Sequence, residues 1–230
     1  ASDLTNTMVT SGSSVIASTA LVDITDGTFA STSATIAATA LGDIGAKTSG
    51  AVTVTQAVKI VGAASDLTNT MVTSGSSVIA STALVDITDG SFASTSATIA
   101  ATSLSGIGGK TTGAVTLQNK VRIEGTQSEV TTALIGDSSV VANETNTEAR
   151  VTDAVNASEG DAIGAVTKIQ GIFAGGVSDS LSNLASGGSA SSNLTTITGD
   201  DSDVAITISD GTFASTSATL SAADISAVGG

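Results

Sequence analysis

An internal duplication limits what this chain can fold into more than any other feature of its sequence. Residues 1–63 and 64–126 align without a gap, and 50 of the 63 aligned positions are identical. A shorter, degenerate copy covers residues 127–172, and a partial copy covers 173–230, where DGTFASTSAT at 210–219 repeats 26–35. We therefore predict that residues 1–230 form one continuous repeat array rather than separate domains.

Each 63-residue unit divides into two similar halves, and each half opens with an alternating apolar pattern. Val22, Val52, Val85 and Val115 mark the four openings. Alternation of apolar with polar or small residues is typical of a half-buried strand. The clearest case is residues 204–208, where Val204, Ile206 and Ile208 alternate with Ala205 and Thr207. Shorter strands are predicted at 34–36, 58–60 and 218–220.

Repeating units that are too small to bury their own apolar face are typical of a stacked repeat protein. We therefore predict a mainly-β fold, a parallel β-solenoid with short helical turns at its corners. An array of small β-sandwich domains is the alternative, and it is favoured by the Asp-Gly pairs at 26–27, 89–90 and 210–211. The strand-end glycines are expected to adopt positive φ; they are Gly27, Gly50, Gly90, Gly113 and Gly211.

The helical corners are predicted from their capping residues. Ser221, followed by Asp224, resembles a capping box. Ser2, Ser65 and Ser178 are expected to cap short turns that carry apolar residues. None of these segments is long enough to be stable as an isolated helix.

Composition excludes several classes of function. The chain has no His, Cys, Pro, Trp or Tyr, and its formal net charge is −14. The lack of His and Cys removes the usual general bases and most zinc, haem and iron–sulfur ligands. An acidic chain with few aromatics is unsuited to nucleic acid. No apolar run is long enough for a membrane helix, so we expect no membrane insertion.

Several segments resemble the Ala/Thr/Ser-rich tandem repeats of very large secreted bacterial surface proteins, of a kind that cyanobacteria hold in number. The segments are VSDSLSNLASG, VDITDGTFASTSATI, GAVTVTQAVKI and ATLSAADISAV. The resemblance is one of composition and covers nearly the whole chain. It implies an extracellular structural role at the cell surface, as an adhesin, a surface-layer-like coat or a fibre.

Three acids near the end of the chain are the candidate metal ligands. Asp200, Asp201 and Asp203 fall within four residues, and Ca²⁺ binds six to eight oxygen ligands. The same residues are also typical of a solvated acidic turn before the strand at Val204. Their spacing fits neither the EF-hand loop nor the Gly-rich nonapeptide calcium repeat. Calcium is the possible cofactor that this cluster suggests.

The other acids are interpreted as turn residues. The pairs Asp23/Asp26 and Asp86/Asp89, together with Asp210, lie at strand ends, where Asp favours a tight turn. The basic residues are scattered and the chain is poor in aromatics, so we predict that the protein is not an enzyme. The Thr-x-Thr pattern of an ice-binding face begins at Thr53 and Thr55 but is interrupted at Gln118.

These observations predict an extracellular structural protein that forms part of a surface fibre, coat or adhesin stalk. Its expected partner is a second copy of itself, because a repeat stack exposes a strand edge at each end. The alternative is a surface module that binds calcium or a glycan on the same scaffold. Charge varies along the array. Residues 1–126 hold eight acids and five bases, a net charge of −3, whereas residues 127–230 hold 13 acids and two bases, a net charge of −11.

Overall fold

The fold was obtained as a computed structural model, and it is mixed α/β. The structure describes residues 2–10, 19–25, 35–55, 58–73, 78–90, 97–136, 140–210 and 220–229. Over these residues the chain is 37% helix and 29% strand. The predicted mainly-β solenoid is therefore wrong, because helices contribute more of the described chain than the strands they pack against.

The strands and helices alternate along the chain. The strands are β1 (Val22–Ile24), β2 (Thr35–Ala37), β3 (Val52–Val54), β4 (Lys59–Gly62), β5 (Val78–Ile79), β6 (Leu84–Ile87), β7 (Thr98–Ala100), β8 (Val115–Leu117), β9 (Arg122–Gly125), β10 (Val140–Ala142), β11 (Thr147–Val151), β12 (Ile169–Phe173), β13 (Val177–Asp179), β14 (Ala185–Ser186), β15 (Ser189–Ala190) and β16 (Ile206–Ile208). The helices are α1 (Ser2–Leu4), α2 (Ala38–Gly45), α3 (Ala64–Leu67), α4 (Ala101–Gly108), α5 (Gln127–Leu134), α6 (Ala157–Gly164), α7 (Leu181–Leu184), α8 (Ser192–Asp200) and α9 (Ala222–Val228). Helices α1 and α3 continue as π-helical turns over Thr5–Thr10 and Thr68–Val72.

Parallel pairing between successive segments organises the sheets. Their strand orders are β1-β3-β5, β10-β8-β6-β4-β2, β12-β11-β9-β7 and β13-β16. Within the described chain only β14 and β15 pair antiparallel, as a short hairpin. The alternative of β-sandwich domains is thus wrong as well, since it requires antiparallel strands joined by hairpins.

The predicted strand spacing is confirmed for two of the pairings. Val22 lies opposite Val52, and Val85 lies opposite Val115. Val52, however, has Val78 rather than Val85 as its other neighbour. Val85 lies instead beside Ile60 of β4, which moves β6 into the next sheet.

Alternating burial explains why these short segments are strands. In β3 and β8 the outer residues of each triplet are buried and the middle one is half-buried. In β16 the same alternation holds, with Ile206 and Ile208 half-buried and Thr207 exposed, although the strand is shorter than the predicted 204–208. β-Branched side chains suit such a pleated, half-buried surface.

The eight-residue helices were not predicted, and burial of one face accounts for them. Ala38, Leu41 and Ile44 of α2 are fully buried, at the spacing of one helix face. The matching residues of α4 are buried in the same way. The sequence ATALGDIG has weak intrinsic helix propensity, so packing against the strands stabilises the helix.

Of the four serines predicted to cap helices, one is an N-cap in the structure. Ser221 is the N-cap of α9, and its hydroxyl accepts a hydrogen bond from the backbone N–H of Asp224. Ser178 lies in β13, and the N-cap of α7 is Ser180. Ser2 and Ser65 lie inside their helices rather than before them. In α3 the N-cap position is Ala63, which has no side-chain acceptor.

The predicted positive φ is wrong at the three strand-end glycines that can be checked. Gly50, Gly90 and Gly113 do not have positive φ. Gly113 is required for a different reason: a Cβ there would lie 2.2 Å from the carbonyl oxygen of Ala83. Gly50 approaches Ala20 at the same distance. These glycines allow the backbones of adjacent segments to touch. The other predicted turn residues Gly27, Gly211 and Asp26 lie outside the described residues.

Candidate functional site

The three candidate calcium ligands lie at the end of α8 and in the turn that follows it. Asp200 is the last residue of α8, Asp201 is its C-cap, and Asp203 lies in the turn before β16. Asp200 and Asp201 are half-buried, and Asp203 is exposed. The first two carboxylates point towards β12, whereas the carboxylate of Asp203 accepts a hydrogen bond from the hydroxyl of Ser202 at 3.5 Å.

Asp200 and Asp201 close the free edge of β12. The carboxylate of Asp200 accepts a hydrogen bond from the backbone N–H of Gly171 at 2.9 Å. The carboxylate of Asp201 accepts one from the N–H of Phe173 at 2.8 Å. β12 is the last strand of its sheet, and these two N–H groups face away from β11. The carboxylates therefore take the place of a neighbouring strand and prevent further pairing there.

Burial raises the pKa of Asp200 above its usual value. The N–H of Gly171 opposes this rise, and the negative charge of Asp201 adds to it. A carboxyl whose pKa is raised in the folded state destabilises the fold as the pH rises above the ordinary value of the unfolded chain. The charge of Asp200 is thus unfavourable at neutral pH, while its role as an acceptor is favourable.

Two substitutions of Asp200 separate its charge from its hydrogen bond. Asp200→Asn keeps an oxygen acceptor for Gly171 and should leave the free energy of unfolding at pH 7 equal or higher. Asp200→Ala leaves that N–H without an acceptor and should lower it by about 1–3 kcal/mol. Urea unfolding at pH 7 and pH 3 measures both. Equal losses in the two variants at pH 7 would show that the charge itself stabilises the edge.

A second set of acids holds helix N-termini across segments. The carboxylates of Asp89, Asp153, Asp179 and Asp210 accept hydrogen bonds from the backbone N–H of Ala64, Gln127, Ala157 and Leu181 at 2.7, 2.6, 3.1 and 2.6 Å, respectively. Each donor is the first residue of a helix: α3, α5, α6 and α7. A carboxylate there satisfies an N–H that has no partner within the helix and interacts favourably with the helix dipole.

Strand register places each of these acids. Gly62 of β4 lies opposite Ile87 of β6, and two residues further along the two segments are Ala64 and Asp89. Likewise, Gly125 of β9 lies opposite Val151 of β11, and two residues further along the two segments are Gln127 and Asp153. Beside the first residues of α2 and α4, Ala38 and Ala101, the neighbouring segment has a glycine instead of an acid. These glycines are Gly62 and Gly125, and a Cβ added at either one would lie within 3 Å of Ala38 or Ala101, respectively. The parallel ladder thus sets which helix each acid reaches.

The pKa of Asp179 is lowered in the folded protein. Burial acts to raise its pKa, but hydrogen bonds from the Asn183 amide and from the N–H groups of Ala157 and Ser180 outweigh that effect. A carboxyl whose pKa is lowered stabilises the fold above its ordinary value, and this contribution is lost as the pH falls through the lowered one.

Three of the basic residues, which looked scattered in the sequence, form ion pairs across neighbouring strands. Lys59 lies 2.8 Å from Asp86, Arg122 lies 2.9 Å from Glu148, and Arg150 lies 3.2 Å from Glu124. Each pair joins two strands of one sheet on its outer face. These half-buried pairs favour one strand register over a slipped one, because a slip would separate the opposite charges.

The described part of the chain holds no group of three or more His, Cys, Asp or Glu side chains placed to bind a metal ion. Calcium binding at Asp200, Asp201 and Asp203 stays a prediction. Over the same residues, no helix has the length and apolar character needed to cross a membrane.

The geometry defines a mixed α/β protein with parallel sheets, in which acids accept hydrogen bonds at helix ends and at a sheet edge. Comparison with protein families, with curated proteins and with solved structures gives no match to this chain. Sequence reasoning assigned Asp89 and Asp210 to turns and did not single out Asp153 or Asp179. Asp89, Asp153 and Asp210 lie two residues after a strand, and Asp179 is the last residue of β13. The helix that each one reaches begins in another segment, which a local pattern does not show.

Proposed function

We propose that this protein is a structural subunit or segment of an extracellular fibre, coat or adhesin stalk, and that its copies associate end to end. Carboxylates of the described residues accept hydrogen bonds from backbone N–H groups at helix ends and at a strand edge. Such bonds within the chain stabilise a fixed fold, as a structural subunit needs. The resemblance to secreted bacterial surface repeats supports the extracellular location.

The observation that carries the proposal is a difference between two identical segments. LVDI at 84–87 forms β6, which has β4 on one side and β8 on the other. LVDI at 21–24 contains β1, which has β3 on one side and no described strand on the other. The same residues that accept two strands in the second repeat therefore have one side without a described neighbour in the first.

The side of β1 that no described strand covers, called its free edge below, has backbone groups that can pair. In the second repeat the N–H groups of Leu84 and Thr88 donate to the carbonyls of Val58 and Gly62 at 2.9 and 3.0 Å. Their counterparts in the first repeat are Leu21 and Thr25, and Leu21 is 79% exposed. An open edge with an exposed apolar side chain favours addition of another strand.

Light scattering after size-exclusion chromatography and electron microscopy test association of the purified chain. Because each copy carries a net charge of −14, association should strengthen as salt is raised from about 0.01 to 0.15 M, where screening shortens from about 30 to 8 Å. Oligomers or filaments are expected. Monomers at every salt and Ca²⁺ concentration would contradict the proposal.

A pair of variants at Asp23 locates the contact. Asp23→Pro removes an N–H from the free edge of β1 without touching the pairing with β3, and it should abolish association. Asp23→Ala removes the same charge and keeps the N–H, so it should associate at least as well as the wild type. Binding of calcium or of a surface glycan stays a prediction.

A further inference from the structure

A polar cavity of about 310 Å³ lies where α6, β13, α7 and α8 meet, within residues 140–210, which the structure describes without a gap. Its volume falls at the lower end of the roughly 300–1,000 Å³ that is usual for small-molecule sites. The residues that line it are mainly asparagines: Asn156, Ala157, Ser158, Asp179, Asn183 and Asn193.

Hydrogen bonds within the chain fix the orientation of the amides in this cavity. The Asn156 Oδ1 accepts the N–H of Glu159 at 2.9 Å, which leaves the Asn156 Nδ2 as a donor. The Asn183 Nδ2 donates to the Asp179 Oδ1 at 2.8 Å, which leaves the Asn183 Oδ1 as an acceptor. The amide nitrogen of Asn193 adds a second donor. The cavity therefore offers both donors and acceptors to a ligand.

The charge of the cavity is unsuited to an anionic ligand. Burial acts to raise the pKa of Asp179, but the hydrogen bonds to its carboxylate lower it below the usual value, so the group is ionised at neutral pH. None of the six lining residues is Lys or Arg. A phosphate or carboxylate ligand would face the charge of Asp179 without a compensating cation.

The cavity is also poor in side-chain oxygens for a metal ion. Both carboxylate oxygens of Asp179 already accept backbone N–H groups, Oδ2 from Ala157 at 3.1 Å and Oδ1 from Ser180 at 2.8 Å. The Asn183 amide oxygen and the Ser158 hydroxyl add two further oxygens, whereas Ca²⁺ takes about six to eight. A metal ion would have to displace bonds that hold the start of α6.

A neutral ligand that carries several hydroxyls matches this set of groups. Each sugar hydroxyl both donates and accepts, so it can accept from the Asn156 or Asn193 amide and donate to the Asn183 oxygen. Ser158 and Asn183 are exposed, so the cavity is open to solvent and a glycan can extend beyond it.

We infer that this cavity binds one pyranose unit of a glycan through hydrogen bonds to Asn156, Asn183 and Asn193. The inference adds a ligand to the proposed structural role and does not depend on association of the chain. No aromatic side chain is among the lining residues, so binding is weak at a single site.

Saturation-transfer NMR on the full chain tests the site, with methyl α- and β-pyranosides of glucose, galactose, mannose and N-acetylglucosamine as ligands. At least one should bind with a Kd of about 1–10 mM. Asn193→Ala removes a donor and should weaken that Kd about threefold to tenfold, while the N-cap of α8, Ser191, is kept. Asn143→Ala, at an exposed asparagine outside the cavity, is the matched control and should leave the Kd unchanged.

A second variant blocks the cavity instead of removing a donor. Ser158 is exposed, so Ser158→Phe can fill the cavity without altering the core, and it should abolish binding. Circular dichroism of each variant confirms that its fold is retained.

Three results would overturn the inference, and each leaves end-to-end association standing. The first is no binding of any pyranoside at about 50 mM, several times the expected Kd. The second is equal weakening by Asn193→Ala and Asn143→Ala, which would place the bound sugar elsewhere. The third is binding of Ca²⁺ or inorganic phosphate that Ser158→Phe abolishes, which would show that the cavity takes an ion.

Discussion

Gly113→Ala is expected to lower the free energy of unfolding by about 3 kcal/mol, because the new methyl group has no space. A Cβ at residue 113 would lie 2.2 Å from the carbonyl oxygen of Ala83 and 2.7 Å from its carbonyl carbon. Both contacts are with backbone, which cannot rotate away as a flexible side chain can. The segments that contain Ala83 and Gly113 must therefore move apart. They come just before β6 and β8, which pair with each other.

The separation also disturbs a buried hydroxyl. The side chain of Thr111 donates to the Ala83 carbonyl and accepts from the Gly113 N–H, so it joins the same two segments. Thr48 makes the same contacts with Ala20 and Gly50 in the first repeat. Gly50→Ala should therefore destabilise the protein as Gly113→Ala does.

Gly90→Ala is the matched control. A Cβ at Gly90 meets no atom within 4 Å, and its φ is not positive. Thermal unfolding should place the midpoint of Gly113→Ala roughly 6–12 °C below the wild type, and that of Gly90→Ala close to it. Similar midpoints for the two variants would show that the close approach at Gly113 is not a constraint.

Replacing Asp89, Asp153 and Asp179 together by Ala is expected to cost about 3 kcal/mol of stability. Each carboxylate accepts the first N–H of a different helix, and loss of such an acceptor typically costs about 1 kcal/mol. The three losses should nearly add, because the sites share no partner. Urea unfolding at pH 7 measures the total.

Two comparisons assign this loss to the hydrogen bonds. The triple substitution by Asn keeps the acceptors and should recover most of the stability. The triple substitution of the exposed acids Asp3, Asp43 and Glu144 by Ala removes the same charge and should change stability little. If that control loses as much as the first triple, net charge rather than helix capping accounts for the effect.

The contribution of Asp179 should also depend on pH. Its pKa is lowered in the folded protein, so the difference between the wild type and Asp179→Ala should be full above about pH 4. The difference should shrink as the pH falls further, because the carboxylate becomes protonated in the folded state. A difference that grows on acidification would contradict the assigned hydrogen bonds.

The strands could be predicted and most of the helices could not. Alternation at Val22 and Ile24 and at Val52 and Val54 marks strands because it reports burial of one face directly. Helix α2 contains only two large apolar residues, Leu41 and Ile44, in a weakly helical sequence. Its stability comes from the strands beneath it, which a local pattern does not contain.

For the candidate aspartates too, the sequence predicted some properties and only the structure showed the others. The spacing of Asp200, Asp201 and Asp203 singled out a cluster, but spacing does not show that two of the carboxylates face the N–H groups of β12. Asp153 and Asp179 were not predicted to be functional residues, because a single acid at or just after the end of a strand is common. Each acquires its role from a helix that begins 22 to 26 residues earlier in the chain.

The sequence by itself determined the repeat, the positions of the main strands and the excess of acidic over basic residues. Those properties follow from residue identity and short-range periodicity. The tertiary structure decided the helical share of the fold, the shift of β6 between sheets, and which edges are closed and which are free. These depend on parallel pairing between segments 22 or more residues apart. The sequence LVDI therefore has two neighbouring strands in the second repeat and one described neighbour in the first.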